Sequence, residues 1–313
     1  MLGIDRRVVQ NFDWVFFGIA ALLILAGLIN LASATFDGSP EFLSESVRRQ
    51  LFALAVGGGV LLVIVSIDYR HFEQFAVPLY AASLFLLALT LLLAPVTRGS
   101  QAWLFEGRLQ PSEVAKIGLV FALARFFCRF PVGEITRVRQ LAIPCLIIAA
   151  PVVLILLQKD TGVALLTLLV GMTYLPLVRI PARSWAVLGL AALVALAAVW
   201  SFGLKLYQQQ RVLDFLDPNR DPLSSGYQAL QSKIAVGSGG LLGRGWMEGT
   251  QTQLRFLPTH HTDFAFSVLA EEWGFLGTTP TLGLYLAMLL WGLWIAQTSK
   301  DTFGAMLSIG LVG

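Results

Sequence analysis

The chain alternates between long apolar runs and short polar connections, which is the pattern of a protein whose helices cross a membrane. A span needs about 20 mostly apolar residues. The runs predict transmembrane helices at about 14–34, 51–67, 77–95, 113–130, 143–157, 162–178, 184–204 and 264–296. The last run opens with polar residues, so we expect its lipid-spanning part to begin near Leu276.

The two ends of the sequence complete this prediction. The first apolar run is too long for a secretory signal and lacks a small-residue cleavage site, so we expect it to remain as the first span. A ninth run begins near Thr302 and stops at Gly313, which suggests part of a longer protein. The sequence therefore predicts an all-α polytopic membrane protein with about eight full spans, in a single C-terminally truncated domain over residues 1–313.

Composition supports the membrane assignment and excludes some partners. Charged residues are 13% of the chain, against about 25% in soluble domains, and the mean hydropathy is +0.73. The net charge is +3, with no basic run interleaved with aromatics, so we exclude nucleic acid. Cys128 and Cys145 are read as reduced apolar residues, and no metal-ligand spacing joins them to the histidines.

The positions of lysine and arginine predict the orientation. Under the positive-inside rule the side with more of them is cytoplasmic. One side carries Arg6, Arg7, Arg70, Arg129, Arg137, Arg139, Arg179, Arg183 and Lys300, while the other carries Arg48, Arg49, Arg98, Arg108 and Lys159. This puts the N-terminus in the cytoplasm and the long segment 205–262 outside it, as an extracytoplasmic loop.

The long loop has the features of an ordered segment. Residues 217–222 carry turn signals. Residues 226–236 predict a short amphipathic helix, with Lys233 on the side that faces solvent or substrate and an apolar face formed by Tyr227, Leu230 and Ile234. The glycines that follow, from Gly237 to Gly249, suggest a helix end and turn, with a phosphate-binding nest as the alternative.

Two polar groups sit at predicted helix starts or tight turns. In Gln110-Pro-Ser-Glu-Val-Ala-Lys116, Ser112 is a candidate N-cap, while Glu113 and Lys116 share one helical face and are placed to form an ion pair. The segment is either a capped helix in the membrane interface or part of a polar cavity. Asp160 lies in a tight outer link, as a turn residue or a site residue.

Two further charges lie on the predicted outer side. Arg211 either extends to the interface or binds a phosphate. Thr262 is a candidate N-cap that would put Asp263 in the first turn of the last long helix, where the helix dipole favours an acid. Glu271 and Glu272 follow in the same helix. A charge at a membrane edge is costly unless a site uses it, so Asp263 is the leading candidate for chemistry.

Several motifs in order carry a resemblance to a known family. They are residues 110–116, Gln228-Ala-Leu-Gln-Ser-Lys-Ile-Ala-Val-Gly-Ser-Gly-Gly240, Gly245-Trp-Met-Glu-Gly-Thr-Gln251, Phe256-Leu-Pro-Thr-His-His-Thr-Asp-Phe264 and Leu269-Ala-Glu-Glu272. Together they resemble the SEDS family (shape, elongation, division, sporulation) over essentially the whole chain. The run at 245–251 is similar to the elongation member.

The resemblance implies ten spans in the intact protein and a function. Family members are peptidoglycan glycosyltransferases that polymerise lipid II in the cytoplasmic membrane, together with a class B penicillin-binding protein and other elongation-complex membrane proteins. Asp263 falls on the family's essential aspartate, and Glu113, Lys116 and Asp160 fall on its polar cavity. This chain departs from the family pattern at Ala102, Lys159 and Thr259.

The implied reaction assigns roles to these residues. Asp263 would be the general base on the acceptor 4-hydroxyl; because a carboxylate in water is a weak base, the role predicts its burial at the membrane edge. Arg211, Lys116 or a divalent cation such as Mg²⁺ or Mn²⁺ would stabilise the departing undecaprenyl pyrophosphate. Thr262 and Lys233 are further candidates for substrate binding, and no organic cofactor is expected. A lipid II flippase and a non-catalytic scaffold are the alternatives.

Overall fold

A computed structural model describes most of the chain, and every regular element in the described part is helical. The described residues are 12–36, 44–95, 100–104, 109–131, 133, 135, 137–178, 180–198, 200–201, 209, 213, 227–254, 256–257 and 262–313. Within them, Leu104 and Leu109 form an isolated antiparallel bridge, and no strand is present. The all-α prediction is confirmed for these residues.

The helices lie where the apolar runs predict them. They are α1 (Trp14–Ala34), α2 (Glu45–Val65), α3 (Tyr69–Leu93), α4 (Pro111–Arg129), α5 (Ala142–Leu157), α6 (Thr161–Met172), α7 (Ala182–Ala198), α8 (Tyr227–Ser238), α9 (Thr250–Gln253), α10 (Ala265–Thr298) and α11 (Thr302–Val312). Short 3-10 turns occupy Val138–Leu141 and Leu175–Leu177.

Five described helices are long and apolar enough to cross a membrane: α1, α2, α3, α5 with its preceding turn, and α10. Their apolar windows are mostly unburied within the protein, which is expected where lipid covers the side chains. The chain is therefore a polytopic membrane protein. The count of eight spans stays a prediction, because α6 and α11 are shorter than a full span.

The chain packs as two compact units. Unit one contains Met1–Ser66 and Ala192–Met288, and unit two contains Ile67–Ala191 and Leu289–Gly313. The prediction of a single domain, and that of the extracytoplasmic loop at 205–262, stay predictions.

Unit two is built around α4. Leu119, Leu123 and Phe127 of this helix are buried, and Tyr174 stacks on Phe127 with ring centroids 5.3 Å apart. The Tyr174 hydroxyl donates to the Met306 carbonyl at 3.1 Å, which ties α11 to the core. The helix begins at Pro111 with Gln110 in the cap position, so the prediction of Ser112 as the N-cap is wrong; the buried Ser112 hydroxyl lies inside the first turn.

A proline inside α3 is compensated by an arginine from α4. Pro78 has no N–H for the carbonyl of Gln74, and its ring also crowds the preceding turn. Nη1 of Arg125 donates to the Glu73 carbonyl at 2.7 Å and to the Gln74 carbonyl at 3.1 Å. The half-buried guanidinium therefore bonds to two carbonyls of the turn that precedes Pro78.

Candidate active site

Asp263 lies in a turn immediately before α10. Residues 262–264 form this turn, and the amides of Ser267 and Val268 donate to the carbonyl of Phe264, at 2.9 and 3.2 Å. Phe264 is thus the residue at which the helix begins. The predictions of Thr262 as the N-cap and of Asp263 in the first turn are wrong by one to two positions, which is the usual uncertainty of a helix end.

The side chains of Thr262 and Asp263 are both exposed. The predicted burial of Asp263 is therefore wrong for the protein alone, because the turn projects it away from the packed interior of unit one. Its exposure leaves it accessible to a bound molecule.

A break at Gly274 divides α10 into two parts. Gly274 has φ 60° and ψ −158°, which is not helical. We call residues 265–273 the polar half-helix and residues 275–298 the apolar half-helix. The prediction that the lipid-spanning part begins near Leu276 agrees with this break.

The glycine-rich loop after α8 supplies hydrogen bonds to the broken backbone. The amides of Phe275 and Leu276 donate to the carbonyls of Gly240 and Leu241. In return the amides of Arg244 and Gly245 donate to the carbonyls of Glu271 and Glu272, at 3.0 and 3.1 Å. Because these loop amides are engaged with the helix, the alternative of a phosphate-binding nest is not supported for them.

Glu271, on the polar half-helix, is fully buried and accepts hydrogen bonds from residues 250–252. Its carboxylate accepts from the Gln251 amide at 2.9 Å and from the hydroxyls of Thr252 and Thr250 at 3.1 and 3.2 Å. These donors lie at the start of α9, so the carboxylate caps that short helix. Glu271 is therefore committed to internal hydrogen bonds.

Glu272 is also buried, at 2% exposure, and contacts α1. Its Oε1 accepts from the Ser33 hydroxyl at 2.5 Å, whereas its Oε2 is buried with no hydrogen-bond partner. Sequence reasoning missed Ser33. Ser33 and Glu272 are 239 positions apart, and a contact over that distance leaves no local pattern in the sequence.

Lys233 is exposed on α8, as predicted. Of the predicted apolar face, Tyr227 and Leu230 are half-buried, whereas Ile234 is not. Ile234 is 42% exposed, and Ala235 is the buried residue. The Ser232 and Ser267 hydroxyls share a hydrogen bond of 2.7 Å. This bond joins α8 to the polar half-helix.

Unit two brings together Glu113 and Lys116. The ammonium of Lys116 lies 3.0 Å from the Glu113 carboxylate, which confirms the predicted ion pair. The Lys116 side chain is 23% exposed and that of Glu113 is 56% exposed. Lys116 is thus the more enclosed partner, yet both remain accessible to a ligand.

Asp160, also in unit two, caps a helix. Its Oδ1 accepts from the Val163 amide at 3.2 Å, at the start of α6. Lys159 just before it has φ 63°, which makes the turn between α5 and α6 tight. The structure thus gives Asp160 a local role, and its contact with substrate stays a prediction.

The remaining predicted site residues lie outside the described residues, and the described residues form no cluster of metal ligands. Arg211, Thr259 and His260 lie outside the described ranges. Within those ranges, no group of three or more His, Cys, Asp or Glu side chains is placed to hold a metal ion. Cys128 and Cys145 are free thiols.

Comparison with known proteins gives consistent matches over nearly the whole chain. The profile of the FtsW/RodA/SpoVE family, described as "Cell cycle protein", matches residues 13–313. The chain is 38% identical to the peptidoglycan glycosyltransferase MrdB of Escherichia coli K12 over 296 residues, which are 93% of this chain and 78% of MrdB. It is 31% identical to a probable peptidoglycan glycosyltransferase FtsW of Geobacter sulfurreducens, over 99% of this chain and 84% of that protein.

Two solved structures are similar to this fold. A chain described as "Structural coordination of polymerization and crosslinking by a peptidoglycan synthase complex" matches with a TM-score of 0.78 and 34% identity, over 97% of this chain and 83% of that one. The crystal structure of the rod shape determining protein RodA of Thermus thermophilus matches with a TM-score of 0.67 and 31% identity, over 97% and 81%.

Proposed function

The chain belongs to the FtsW/RodA/SpoVE family, and from this premise we propose that it is a peptidoglycan glycosyltransferase that polymerises lipid II during cell elongation. The likeness to MrdB over nearly the whole chain carries the proposal. The glycosyltransferase activity named for MrdB and FtsW fits a membrane protein with an accessible carboxylate at a helix start.

Asp263 is the general base of the proposed reaction. It takes the proton of the acceptor 4-hydroxyl as that oxygen bonds to the anomeric carbon of the donor sugar, and the bond from that carbon to the undecaprenyl pyrophosphate breaks. Glu271 and Glu272 are buried, whereas Asp263 is exposed. This contrast supports Asp263 as the base among the three acids, and a bound lipid-linked substrate would remove water from it.

Cationic groups stabilise the leaving pyrophosphate in this proposal. Lys116 and Arg211 are the proposed donors, with Glu113 orienting Lys116 through their ion pair. Asp160, Thr262 and Lys233 are proposed substrate contacts. A divalent cation is a further proposed stabiliser of the pyrophosphate, and no step is assigned to it.

The proposal includes a membrane orientation and a partner. The protein lies in the inner membrane of a bacterium, with its N-terminus in the cytoplasm and its active site facing outward. It has eight full spans and part of a ninth, as in a ten-span protein. The solved peptidoglycan synthase complex joins polymerization to crosslinking. By that likeness the partner is a class B penicillin-binding protein, alongside other elongation-complex proteins.

A polymerisation assay tests the proposal. Purified full-length protein and labelled lipid II are mixed in detergent, and glycan strands are resolved by size. Only a polymerase makes strands where there is no bilayer, so a flippase or a scaffold gives none. We expect Asp263→Asn to reduce polymerisation by at least about a hundredfold.

The matched control is Glu45→Gln. Glu45 is likewise an exposed acid near a helix start in unit one, and its side chain is 78% exposed. We expect this variant to retain full activity. Strand formation by folded Asp263→Asn at the wild-type rate would refute the base assignment, and no strands from wild-type protein would refute the activity.

A further inference from the structure

Asp263 lies in the turn that leads directly into the polar half-helix, so the placement of this half-helix decides where that carboxylate points. Its far end cannot shift easily, because the glycine loop lies in direct backbone contact with it. A Cβ at Gly239 would lie 1.9 Å from the carbonyl oxygen of Ala270, and one at Gly243 would lie 2.1 Å from that of Glu272. The loop therefore closes tightly around the end of the half-helix.

The near end is held by two side chains. Nδ2 of Asn30 donates to the carbonyl of Ala265 at 2.8 Å, two residues after Asp263. The hydroxyl of Ser267 is bonded to Ser232 of α8. Asn30 and Ser33 lie three positions apart on α1, so this helix holds the half-helix at both ends.

Ser33 joins three segments through one buried hydroxyl. It donates to Glu272 Oε1 and accepts from the amide of Met247 at 3.1 Å. Its own carbonyl accepts from Nε2 of Gln253 at 3.4 Å. Met247 has φ 63°, a conformation that a residue with a side chain rarely adopts, so the serine holds the loop at a strained turn.

Packing alone does not account for this arrangement. Burying a glutamate with one oxygen unpartnered is unfavourable, and an apolar residue of similar volume would avoid that cost. A directional bond, in contrast, fixes the rotation of a helix about its axis, which apolar contacts do poorly.

We propose that Ser33 and Glu272 are positioning residues for catalysis: their hydrogen bond sets the rotation of residues 265–273 and thereby aims Asp263 at the acceptor hydroxyl. The inference rests on the proposed function. A base misplaced by about 1 Å loses on the order of a hundredfold in rate. Removing the bond therefore lowers kcat and leaves KM for lipid II unchanged.

The test compares Ser33→Ala, Glu272→Gln and their double variant in the full-length protein. We expect Ser33→Ala to lower kcat about tenfold or more, with KM unchanged. Glu272→Gln keeps an oxygen that accepts from Ser33, so it retains most of the activity. In the double variant, kcat falls no further than in Ser33→Ala, because the bond that Glu272→Gln retains is already absent.

Thr281→Val is the matched control. Its hydroxyl bonds within the apolar half-helix, to the Gly277 carbonyl at 3.0 Å. Amide hydrogen exchange on the same samples shows whether the polar half-helix has loosened. In Ser33→Ala we expect the exchange rate to rise in residues 265–273 and to stay constant in residues 275–298. A kcat for Ser33→Ala within threefold of wild type, or a fall matched by Thr281→Val, overturns the proposal. Activity of Asp263→Asn instead overturns the base assignment, so the two failures are distinct.

Discussion

The two halves of α10 are continuous in sequence but are held in place by different means. The polar half-helix buries Ser267, Glu271 and Glu272, and each of them makes a hydrogen bond to another segment. The apolar half-helix exposes large side chains such as Leu286 and Leu290, at 57% and 58%. Specific contacts fix the first half, and the membrane accommodates the second. A membrane helix thus acquires a positioned polar end without placing its charges in lipid.

The largest effect is expected where the halves meet. Gly274→Ala places a residue with a Cβ at φ 60°, where the Cβ would lie 2.3 Å from the Gly243 amide nitrogen. Backbone strain and overpacking add, so we expect a loss of about 4 kcal/mol in the free energy of unfolding. Gly283→Ala in the apolar half-helix is the control: its Cβ has open space, so the change is neutral or stabilising. Thermal unfolding of both variants measures the difference in stability. Equal stability would contradict the requirement for glycine at the break.

The next effect tests the buried glutamate that caps α9. Glu271→Ala leaves the donors of Gln251, Thr250 and Thr252 without their acceptor, and we expect it to cost about 3 kcal/mol. Glu271→Gln retains one acceptor oxygen, so its cost is smaller. Denaturant unfolding in detergent measures both. A cost no greater than that of Glu45→Ala, an exposed position, would contradict the capping role.

The third effect tests whether the exposed face of the apolar half-helix lies against lipid. Leu286→Lys places a charge among exposed apolar side chains, and we expect it to reduce membrane insertion of the segment by about 2.5 kcal/mol. Leu286→Ala, which adds no charge, is the control. Insertion efficiency into membrane vesicles reports the cost. Equal insertion of the two variants would mean that this face does not lie against lipid.

The smallest effect concerns one hydrogen bond of the polar half-helix. Ser267→Ala removes the bond to Ser232, which we expect to cost about 1 kcal/mol in the free energy of unfolding. Ser232→Ala should cost the same, and the double variant little more, because both substitutions remove one interaction. Additive costs in the double-mutant cycle would show that the two hydroxyls act separately.

Local patterns in the sequence predicted much of this architecture. Apolar runs located the helices, and the three-residue spacing of Glu113 and Lys116 predicted their ion pair. These signals succeed because helix periodicity sets which residues are neighbours within one or two turns. The prediction that lipid contact begins near Leu276 stays a prediction; the helix breaks two residues earlier, at Gly274.

Features that depend on distant segments were not predictable in this way. The bond from Ser33 to Glu272, and the exchange of backbone bonds between the glycine loop and α10, join parts of the chain that only the fold brings together. The buried face of α8 also differs from the predicted one. Ile234 is apolar and correctly spaced, yet it is exposed, whereas Ala235 is buried.

The contact of Arg125 with the carbonyls exposed by Pro78 has an evolutionary consequence. Loss of the arginine first would leave the carbonyls of Glu73 and Gln74 without its donors. Loss of the proline first would restore an amide to the helix, and that amide would compete with the half-buried guanidinium for the Gln74 carbonyl. Each single step is unfavourable, so the two residues are expected to be inherited together and replaced together. Lineages that lack the proline at this position should also lack the arginine.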